Sequence, residues 1–297
     1  MKRCRTVLCV LLGAAVVASA ETNAPRDAVG GIVELNTTLM RATYRFEAPG
    51  SLGTIFVIGV PTPDSPASLR YALVTAAHVL EHAQGEKATL HVRVKTEGRI
   101  QRLPVPIQIR DGDNPRWVRH PKADVAAMLI TVPSNIDIDL LTPSLFADDA
   151  FYDWARIHPG DELFALGFPL GAEANDLGYP ILRTGAIASY PLVPTRTNET
   201  FLLDLEIRPG NSGGPVCLYQ LNRMVEKDTT KTINTCRIMG LISQEKVFTE
   251  QMKGLYEART EQHPINVAQV VHATLIVDTV GMLAQTLRKS TQHPPAN

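Results

Sequence analysis

The sequence predicts an all-β protein, a barrel or a sandwich, because it contains many short strand-like runs with frequent turn signals between them. Its apolar residues fall in short runs of strand length that are rich in Val, Ile, Leu and Thr, and Gly and Pro separate these runs. The 297 residues are 44% apolar and 20% charged, which is typical of a globular protein and excludes a disordered, collagen-like or coiled-coil chain. The formal net charge of −1 excludes the strongly basic surface of a general nucleic-acid binder.

The N-terminal segment has the pattern of a secretory signal peptide. Lys2, Arg3 and Arg5 precede an apolar run at 7–17, and small residues at 18–20 favour cleavage after Ala20. The run is shorter than the apolar segment of about 20 residues that a transmembrane helix needs. We therefore expect a secreted or periplasmic protein with no stable membrane insertion after cleavage, and an uncleaved N-terminal anchor is the alternative.

Nine strand-like runs follow, and they divide into two halves of domain size. The segment 133–160 contains several Pro and Asp residues and interrupts the strand pattern, so it is predicted to join an N-terminal barrel at about 31–135 to a C-terminal barrel at about 150–277. The predicted strands are 54–60, 70–75, 89–95, 105–110, 125–131, 162–166, 181–189, 201–207 and 236–243.

Two surface insertions and a C-terminal helix complete the prediction. Residues 220–234 are polar and charged, and residues 245–263 have helical residue types. A last strand is predicted at 267–276, followed by a helix at about 278–289 with Asp278 as its N-cap. Residues 291–297 are predicted to be a disordered tail.

Ser212 lies in the strongest local motif of the sequence, Gly-Asn-Ser-Gly-Gly-Pro at 210–215. Glycines on both sides of a serine allow a sharp turn and bring backbone N–H groups close to a substrate carbonyl. Because a serine hydroxyl is a weak nucleophile, it needs an adjacent base and donors for the developing oxyanion. The alternative interpretation is an ordinary glycine-rich turn.

His78 and Asp124 have sequence surroundings that suit a base beside the serine and a hydrogen-bond partner for that base. His78 ends a strand-like apolar run and follows two alanines, which leave room for its imidazole to face a cleft. Asp124 begins a strongly apolar strand, where a carboxylate is costly unless it accepts hydrogen bonds. A histidine N–H is one suitable partner, and capping of the local turn by Asp124 is the alternative.

Together these motifs resemble the trypsin-like serine peptidases, and within them the HtrA-type branch. The chain order His, Asp, Ser is also that of the chymotrypsin arrangement. No PDZ domain, which HtrA proteins usually carry, fits after residue 276. The similar segments are 50–56, 75–79, 123–126, 166–171, 184–189 and 210–215.

The resemblance implies two six-stranded β-barrels with the site between them, and a peptidase that cleaves protein or peptide substrates. His78 would be the general base, Asp124 would orient it, and Ser212 would be the nucleophile. The turn of Gly210, Asn211 and Ser212 would form the oxyanion hole, chiefly through the N–H groups of Gly210 and Ser212. No cofactor or metal is expected. A catalytically silent binding or chaperone-like module and an esterase of small acyl substrates are the alternatives.

Two further expectations concern Glu206 and the cysteines. Glu206 lies six residues before Ser212, where trypsin-like folds often place the floor of the specificity pocket, although a solvent-facing side chain is the favoured alternative. Cys217 and Cys236 remain after signal cleavage and lie on runs that should be neighbouring antiparallel strands. In an oxidising compartment they are expected to form a disulfide, and two buried free thiols are the alternative.

Overall fold

The computed structural model of the protein describes residues 35–62, 65–224, 232–253 and 258–292. Most of this part of the chain is antiparallel β-structure, which confirms the predicted fold class. The elements in chain order are α1 (Leu35–Ala42), β1 (Thr43–Ala48), β2 (Ser51–Thr62), β3 (Ser65–Thr75), α2 (Ala77–His82), β4 (Lys87–Thr96), β5 (Arg99–Gln108), β6 (Arg110–Asp111), β7 (Asn114–Pro115), β8 (Val118–Arg119), β9 (Ala126–Ile130), α3 (Asp149–Trp154), β10 (Glu162–Gly167), β11 (Ile181–Ile187), β12 (Thr200–Asp204), β13 (Pro215–Met224), β14 (Thr232–Lys253), β15 (Ala258–His272) and α4 (Ala273–Gln292).

The first half of the chain forms a seven-stranded sheet in the order β5-β4-β1-β2-β3-β9-β8. Strand β2 lies at its centre, where Phe56 pairs with Thr43 of β1 and with Val74 of β3. Residues 53–60 of β2 are all buried. Helix α1 precedes the sheet and buries Leu35 and Leu39 on one face, as their spacing of four residues requires.

The second half is a closed barrel of six strands in the order β10-β11-β12-β15-β14-β13. The pairing of Phe164 in β10 with Cys217 in β13 closes the barrel. Its core contains Phe201, Leu203 and Val270, and each of these side chains is almost fully buried. The barrel gives a rigid support for the turn between β12 and β13, which carries the serine motif.

The predicted break between the halves is a segment of loops and short helical turns. A 3₁₀ turn (Pro143–Leu145) and α3 lie in it, and no strand is assigned there among the described residues. The side chain of Asp148 caps α3 by accepting a hydrogen bond from the Phe151 N–H at 2.8 Å. Isolated bridges connect the segment to both halves, through Leu141 with Ile58 and through Phe146 with Ile238.

The prediction of a surface insertion with helical residue types at 245–263 is wrong in its secondary structure. Strands β14 and β15 continue through it as one long antiparallel hairpin, in which Val247 pairs with Pro264 and Lys253 pairs with Ala258. Pairing with a neighbouring strand has overridden the local helical preference. The polar insertion at 220–234 is shorter than expected, because β13 reaches Met224 and β14 begins at Thr232.

The C-terminal helix also differs from the prediction. The last strand ends at His272, and α4 begins at Ala273, so Asp278 lies within the helix and is not its N-cap. Asp278 instead pairs with Arg196, whose Nη2 lies 3.0 Å from its Oδ1. The buried residues Ala273, Ile276 and Val280 follow helical spacing, which the strand interpretation of 267–276 missed.

The two ends of the chain leave part of the sequence prediction untested. Helix α4 includes residues 291 and 292 of the predicted tail, whereas 293–297 lie outside the described residues. The predicted signal peptide at 1–20 also lies outside them, so export stays a prediction. None of the described helices is both long enough and apolar enough to cross a membrane.

Candidate active site

His78 is the second residue of α2, directly after β3. Ala77, Val79 and Leu80 bury their side chains in the first half of the protein, and the small Ala76 is also fully buried. His78 is the exception in this stretch, because its side chain is 30% exposed. The helix therefore fixes the histidine backbone in the core and leaves the imidazole at the surface of a cleft.

Asp124 holds His78 through two hydrogen bonds. Its Oδ2 lies 2.8 Å from His78 Nδ1, and its Oδ1 accepts from the His78 backbone N–H at 3.0 Å. The hydroxyl of Ser243 donates to the same Oδ2 at 2.6 Å. Burial alone would raise the pKa of Asp124, but the hydrogen bonds from His78 and Ser243 outweigh it and lower this pKa to about 2. Asp124 is therefore ionised at neutral pH.

His120 stabilises the turn that presents Asp124. Its Nδ1 accepts hydrogen bonds from the backbone N–H groups of Ala123 at 2.9 Å and Lys122 at 3.2 Å. His120 is only 7% exposed, and burial lowers its pKa. The neutral ring thus serves as an acceptor, a role that its sequence context alone did not indicate.

Ser212 lies in a tight turn that requires glycine at two positions. Gly210 has φ of 99° and Gly213 has φ of 86°, a region that favours glycine. A Cβ atom on Gly213 would lie 2.1 Å from the Thr54 carbonyl oxygen. The side chain of Asn211 closes the turn, because its Oδ1 accepts from the Arg208 N–H at 2.9 Å.

Two backbone N–H groups in this turn are available for an oxyanion. No hydrogen bond within the described residues uses the N–H of Gly210 or of Ser212. The Leu170 N–H donates to the Pro209 carbonyl at 2.7 Å. The carbonyl of Pro209 and the N–H of Gly210 belong to one trans peptide, so they point in opposite directions. The Gly210 N–H therefore points away from Leu170. The Asn211 N–H donates to the Arg208 carbonyl at 3.0 Å, so the expected oxyanion hole loses Asn211 as a donor.

Thr54 of β2 joins this turn to the first half of the protein. Its N–H donates to the Ser212 carbonyl at 2.8 Å, and its hydroxyl donates to the Gly210 carbonyl at 2.7 Å. The same hydroxyl accepts from the Phe168 N–H at 3.2 Å. Thr54 is fully buried, so these contacts are shielded from water.

Ser243 connects Ser212 with the other two candidate residues. The Ser212 hydroxyl donates to the Ser243 carbonyl at 3.0 Å, and the Ser243 hydroxyl donates to Asp124 as described above. No hydrogen bond joins the Ser212 hydroxyl to His78 among the described residues. Ser243 was not singled out from the sequence, because it lies 31 residues from Ser212 at the end of an ordinary apolar run.

A cavity of about 600 Å³ opens beside His78, Asp124 and Ser243. Its walls come from both halves of the protein, and most of the lining residues are polar or charged. Glu81 and Arg119 form an ion pair of 2.7 Å on the side of the first half. The remaining lining residues are His82, Lys122, Ala123, Glu199, Thr200, Gln244, Gln269 and Val271.

Glu206 does not line this cavity, contrary to its tentative place in the specificity pocket. Its side chain is 41% exposed and forms an ion pair with Arg208. The guanidinium of Arg183 also donates to the Glu206 backbone carbonyl. The solvent-facing alternative describes Glu206 better, because its carboxylate already has a cationic partner at the surface.

The expected disulfide between Cys217 and Cys236 is absent from the structure, where both are buried free thiols. The two residues do lie on neighbouring antiparallel strands, as predicted. Cys217 pairs with Ile238, however, and Cys236 pairs with Tyr219, so the cysteines are diagonal neighbours. Diagonal pairs are about 7–8 Å apart, beyond the usual reach of a disulfide.

Within the described ranges, no group of three or more His, Cys, Asp or Glu residues could hold a metal ion. The site instead combines a serine, a histidine and an ionised aspartate. Elements of the first half position His78 and Asp124, and elements of the second half position Ser212 and Ser243. The antiparallel β-fold with its closed six-stranded barrel is that of the chymotrypsin-like serine peptidases.

Comparison with known proteins identifies the family. The model of the trypsin-like peptidase domain matches residues 53–225, more than half of the chain. The chain therefore belongs to the trypsin-like peptidase family. This match does not distinguish the HtrA-type branch, which stays a prediction. No curated protein matches the chain.

Two solved structures are similar to this chain in fold. The protease Rv3671c from M. tuberculosis H37Rv, in an inactive serine-to-alanine mutant form, is 15% identical, and the match covers 92% of this chain and 97% of that chain with a TM-score of 0.42. The thermostable serine protease AL20 from an extremophilic microorganism is 11% identical, with coverage of 83% and 98% and a TM-score of 0.44.

Proposed function

We propose that the protein is a serine endopeptidase that hydrolyses peptide bonds through an acyl-enzyme. The observation that carries this proposal is a series of three hydrogen bonds, from Ser212 to Ser243, from Ser243 to Asp124, and between Asp124 and His78. Membership of the trypsin-like peptidase family supports a peptidase activity. Protein or peptide substrates are therefore the expected partners.

His78 is the general base in this proposal. Since its Nδ1 donates to the ionised Asp124, the neutral ring carries no proton on Nε2, which can accept the proton of a nucleophile. Asp124 stays ionised because of its low pKa, so it stabilises the imidazolium that forms when His78 takes the proton. The second hydrogen bond of Asp124, from the backbone N–H of His78, holds the carboxylate in position beside the imidazole ring.

Ser212 is the nucleophile, and it must first leave the Ser243 carbonyl. Rotation about its Cα–Cβ bond exchanges that hydrogen bond for one to His78 Nε2. The oxygen then attacks the substrate carbonyl while His78 takes the proton, and His78 returns this proton to the leaving amine. Water hydrolyses the resulting ester by the same route, with His78 again as the base.

The N–H groups of Gly210 and Ser212 are the donors for the oxyanion. Both lack a partner within the described residues, so no internal bond has to break when the negative charge develops. Donors that are held in place before the reaction give a large part of the rate enhancement in such sites, and losing one typically costs about 10²–10³ in kcat. Thr54 and Leu170 hold the carbonyl groups of this turn on the opposite side.

A catalytically silent binding module is the second candidate function. The specific observation in its favour is that the Ser212 hydroxyl bonds to the Ser243 carbonyl and not to His78. In that case the turn would be a structural feature, and the cavity beside His78 would bind polypeptide without cleaving it.

Labelling with a fluorophosphonate probe separates the two functions. We expect the probe to modify Ser212 alone, and Ser212→Ala or His78→Ala to abolish both labelling and peptide cleavage without unfolding the protein. The surface variant Ser144→Ala is the matched control and should label like the wild type. Labelling at another residue, or full activity of Ser212→Ala, would refute the peptidase proposal.

A further inference from the structure

His82 lies one helical turn after His78, at the last residue of α2. The two imidazole rings are neighbours, with their centroids 5.7 Å apart and their planes at 54° to each other. Both side chains line the cavity of about 600 Å³. The proposed reaction uses His78 and gives no role to His82, whose side chain is exposed and forms no hydrogen bond with the described residues.

The sequence around this pair has the spacing His-x-x-Glu-His, at 78–82. Side chains four residues apart on a helix lie on the same face, and two histidines at this spacing hold zinc in several classes of metallopeptidase. Glu81 forms an ion pair with Arg119, in which Oε1 lies 2.7 Å from Nε, so its carboxylate already has a partner. The two imidazoles are therefore the ligands that this motif offers.

The distance between the two rings suits a shared metal ion. A zinc ion lies about 2.0–2.1 Å from an imidazole nitrogen, and at a tetrahedral angle it holds two ring centroids roughly 5.2 Å apart. The observed separation is 5.7 Å. Because side chains at the surface change their torsion angles within nanoseconds, a small rotation of the exposed His82 ring removes the difference.

Asp124 already holds His78 in the orientation of a metal ligand. His78 Nδ1 lies 2.8 Å from the carboxylate and donates its proton to it, which leaves the lone pair of Nε2 free. Histidines that bind metals usually donate their other N–H in this way, and the partner orients the ring and raises its basicity. The Ser212 hydroxyl bonds to the Ser243 carbonyl, so no hydrogen bond to Nε2 has to break first.

The charges around the pair favour a cation. Three carboxylates and two cationic side chains line the cavity, namely those of Glu81, Asp124, Glu199, Arg119 and Lys122. The side chain of His78 is 30% exposed, and that of His82 is exposed, so a hydrated ion can reach both rings.

We propose that His78 and His82 bind a divalent transition-metal ion, Zn²⁺ in particular. His78 Nε2 and one ring nitrogen of His82 are the two protein ligands, and water molecules complete the coordination. Imidazole suits zinc, copper and nickel, whereas magnesium and calcium prefer oxygen ligands.

A bound metal ion inhibits the enzyme reversibly, because it occupies the lone pair with which His78 accepts the proton of Ser212. Coordination forms two metal–nitrogen bonds and releases water, and it involves no oxidation or reduction. This inhibition rests on the proposed peptidase function, whereas the binding of the metal does not.

Calorimetric titration with zinc chloride tests the binding directly. The protein carries Ser212→Ala, which excludes self-cleavage and keeps both histidines, and it has no histidine tag. We expect a single ion per chain with a Kd of roughly 1–100 µM, since two protein ligands supply half of the coordination in a structural zinc site.

Two substitutions of His82 and one control identify the ligands. His82→Ala and His82→Phe, of which the second keeps an aromatic ring, should each weaken the binding by at least about 10-fold. His158→Ala removes a histidine whose side chain is 66% exposed and lies outside the cavity, so it should leave the affinity unchanged. Magnesium chloride should give no binding heat.

Peptide cleavage tests the inhibition, with every rate divided by the rate of the same variant in EDTA. Zn²⁺ and Cu²⁺ should inhibit the wild type, EDTA should restore the full rate, and Mg²⁺ and Ca²⁺ should have no effect. The Zn²⁺ concentration at half inhibition should match the calorimetric Kd and rise at least about 10-fold in His82→Ala. Fluorophosphonate labelling of Ser212 should slow over the same range of Zn²⁺ concentration.

The results distinguish failure of the metal site from failure of the peptidase function. Unchanged affinity in both His82 variants, or no saturable binding up to about 1 mM Zn²⁺, would overturn the metal site. Binding without inhibition would overturn the assignment of His78 as a ligand. Absence of cleavage and labelling in EDTA would contradict the peptidase function, and calorimetry would still decide whether the two histidines bind zinc.

Discussion

Ser243→Ala tests the connection between the nucleophile and the aspartate. The substitution removes one hydroxyl, which donates to Asp124 Oδ2 at 2.6 Å from a residue that is only 3% exposed. It keeps the Ser243 backbone carbonyl, to which the Ser212 hydroxyl bonds. The change therefore isolates one hydrogen bond to a charged group and leaves the other contact of this residue in place.

The expected loss follows from the pKa of Asp124. A buried hydrogen bond to a charged group is worth about 1.5–3 kcal/mol, and one pKa unit corresponds to about 1.4 kcal/mol. Without the hydroxyl, the pKa of Asp124 should rise by about one to two units from its value of about 2. The carboxylate remains ionised at pH 7, so the variant should fold, lose about 1.5–3 kcal/mol of stability, and retain reduced activity.

The dependence on pH identifies the cause of the loss. The folded-state pKa of Asp124 lies below its ordinary value of 3.8, so its ionised form stabilises the fold above pH about 4. This contribution is lost as the pH falls toward 2. The stability difference between wild type and Ser243→Ala should therefore be constant from pH 7 to about 5 and shrink below pH 4.

Urea unfolding between pH 7 and pH 3 measures this difference. Ser243→Thr, which keeps a hydroxyl, should recover most of the stability, and the exposed Ser144→Ala should change nothing. A loss below about 0.5 kcal/mol at pH 7, or a loss of equal size at pH 3, would show that the hydroxyl does not act through the ionised Asp124.

Two further predictions concern the oxyanion turn and the residue preference. Thr54→Val keeps the shape of a buried side chain but removes the hydrogen bond to the Gly210 carbonyl. We expect kcat to fall about 10- to 100-fold with little change in KM. An unchanged kcat in steady-state assays would show that Thr54 does not order the oxyanion turn. Glu245 lies two residues after Ser243, and its Oε1 is buried without a hydrogen-bond partner among the described residues. Glu245→Gln should lower kcat/KM for peptides with Lys or Arg at the acyl side of the cut more than for peptides with an apolar residue there. The control variant Glu206→Ala should leave the ratio of these two kcat/KM values unchanged. A peptide-library profile in which only Glu206→Ala changes the ratio would reverse this assignment.

The three candidate residues could be singled out from the sequence because each has a distinctive local context. Ser212 needs glycines around it, and His78 needs small residues before it, so both requirements are visible in short motifs. Ser243 has no such requirement. It reaches Asp124 only because the barrel places β14 beside the glycine-rich turn, and no local pattern reports that pairing.

The same distinction explains the errors in the fold. The buried strands, such as β2 and β10, are continuous apolar runs and were predictable from the sequence. The hairpin of β14 and β15 beyond Glu245 contains residues of mixed preference, so strand pairing decided its structure. The disulfide prediction placed Cys217 and Cys236 on the correct neighbouring strands, but the register between those strands was not visible and proved to be offset by two residues.

Thr54 shows why the candidate site depends on contact between the two halves of the protein. In β2 its N–H and hydroxyl hold the carbonyl groups of Ser212 and Gly210, while its own carbonyl accepts the Thr75 hydroxyl at 2.7 Å. A residue of the first sheet thus orders the nucleophile turn of the second barrel by uncharged hydrogen bonds. Asn211 adds a neutral side-chain bond within the turn and, unlike an aspartate, needs no ammonium partner. The turn is therefore ordered by packing of the two halves, and its geometry should be complete as soon as they have folded together.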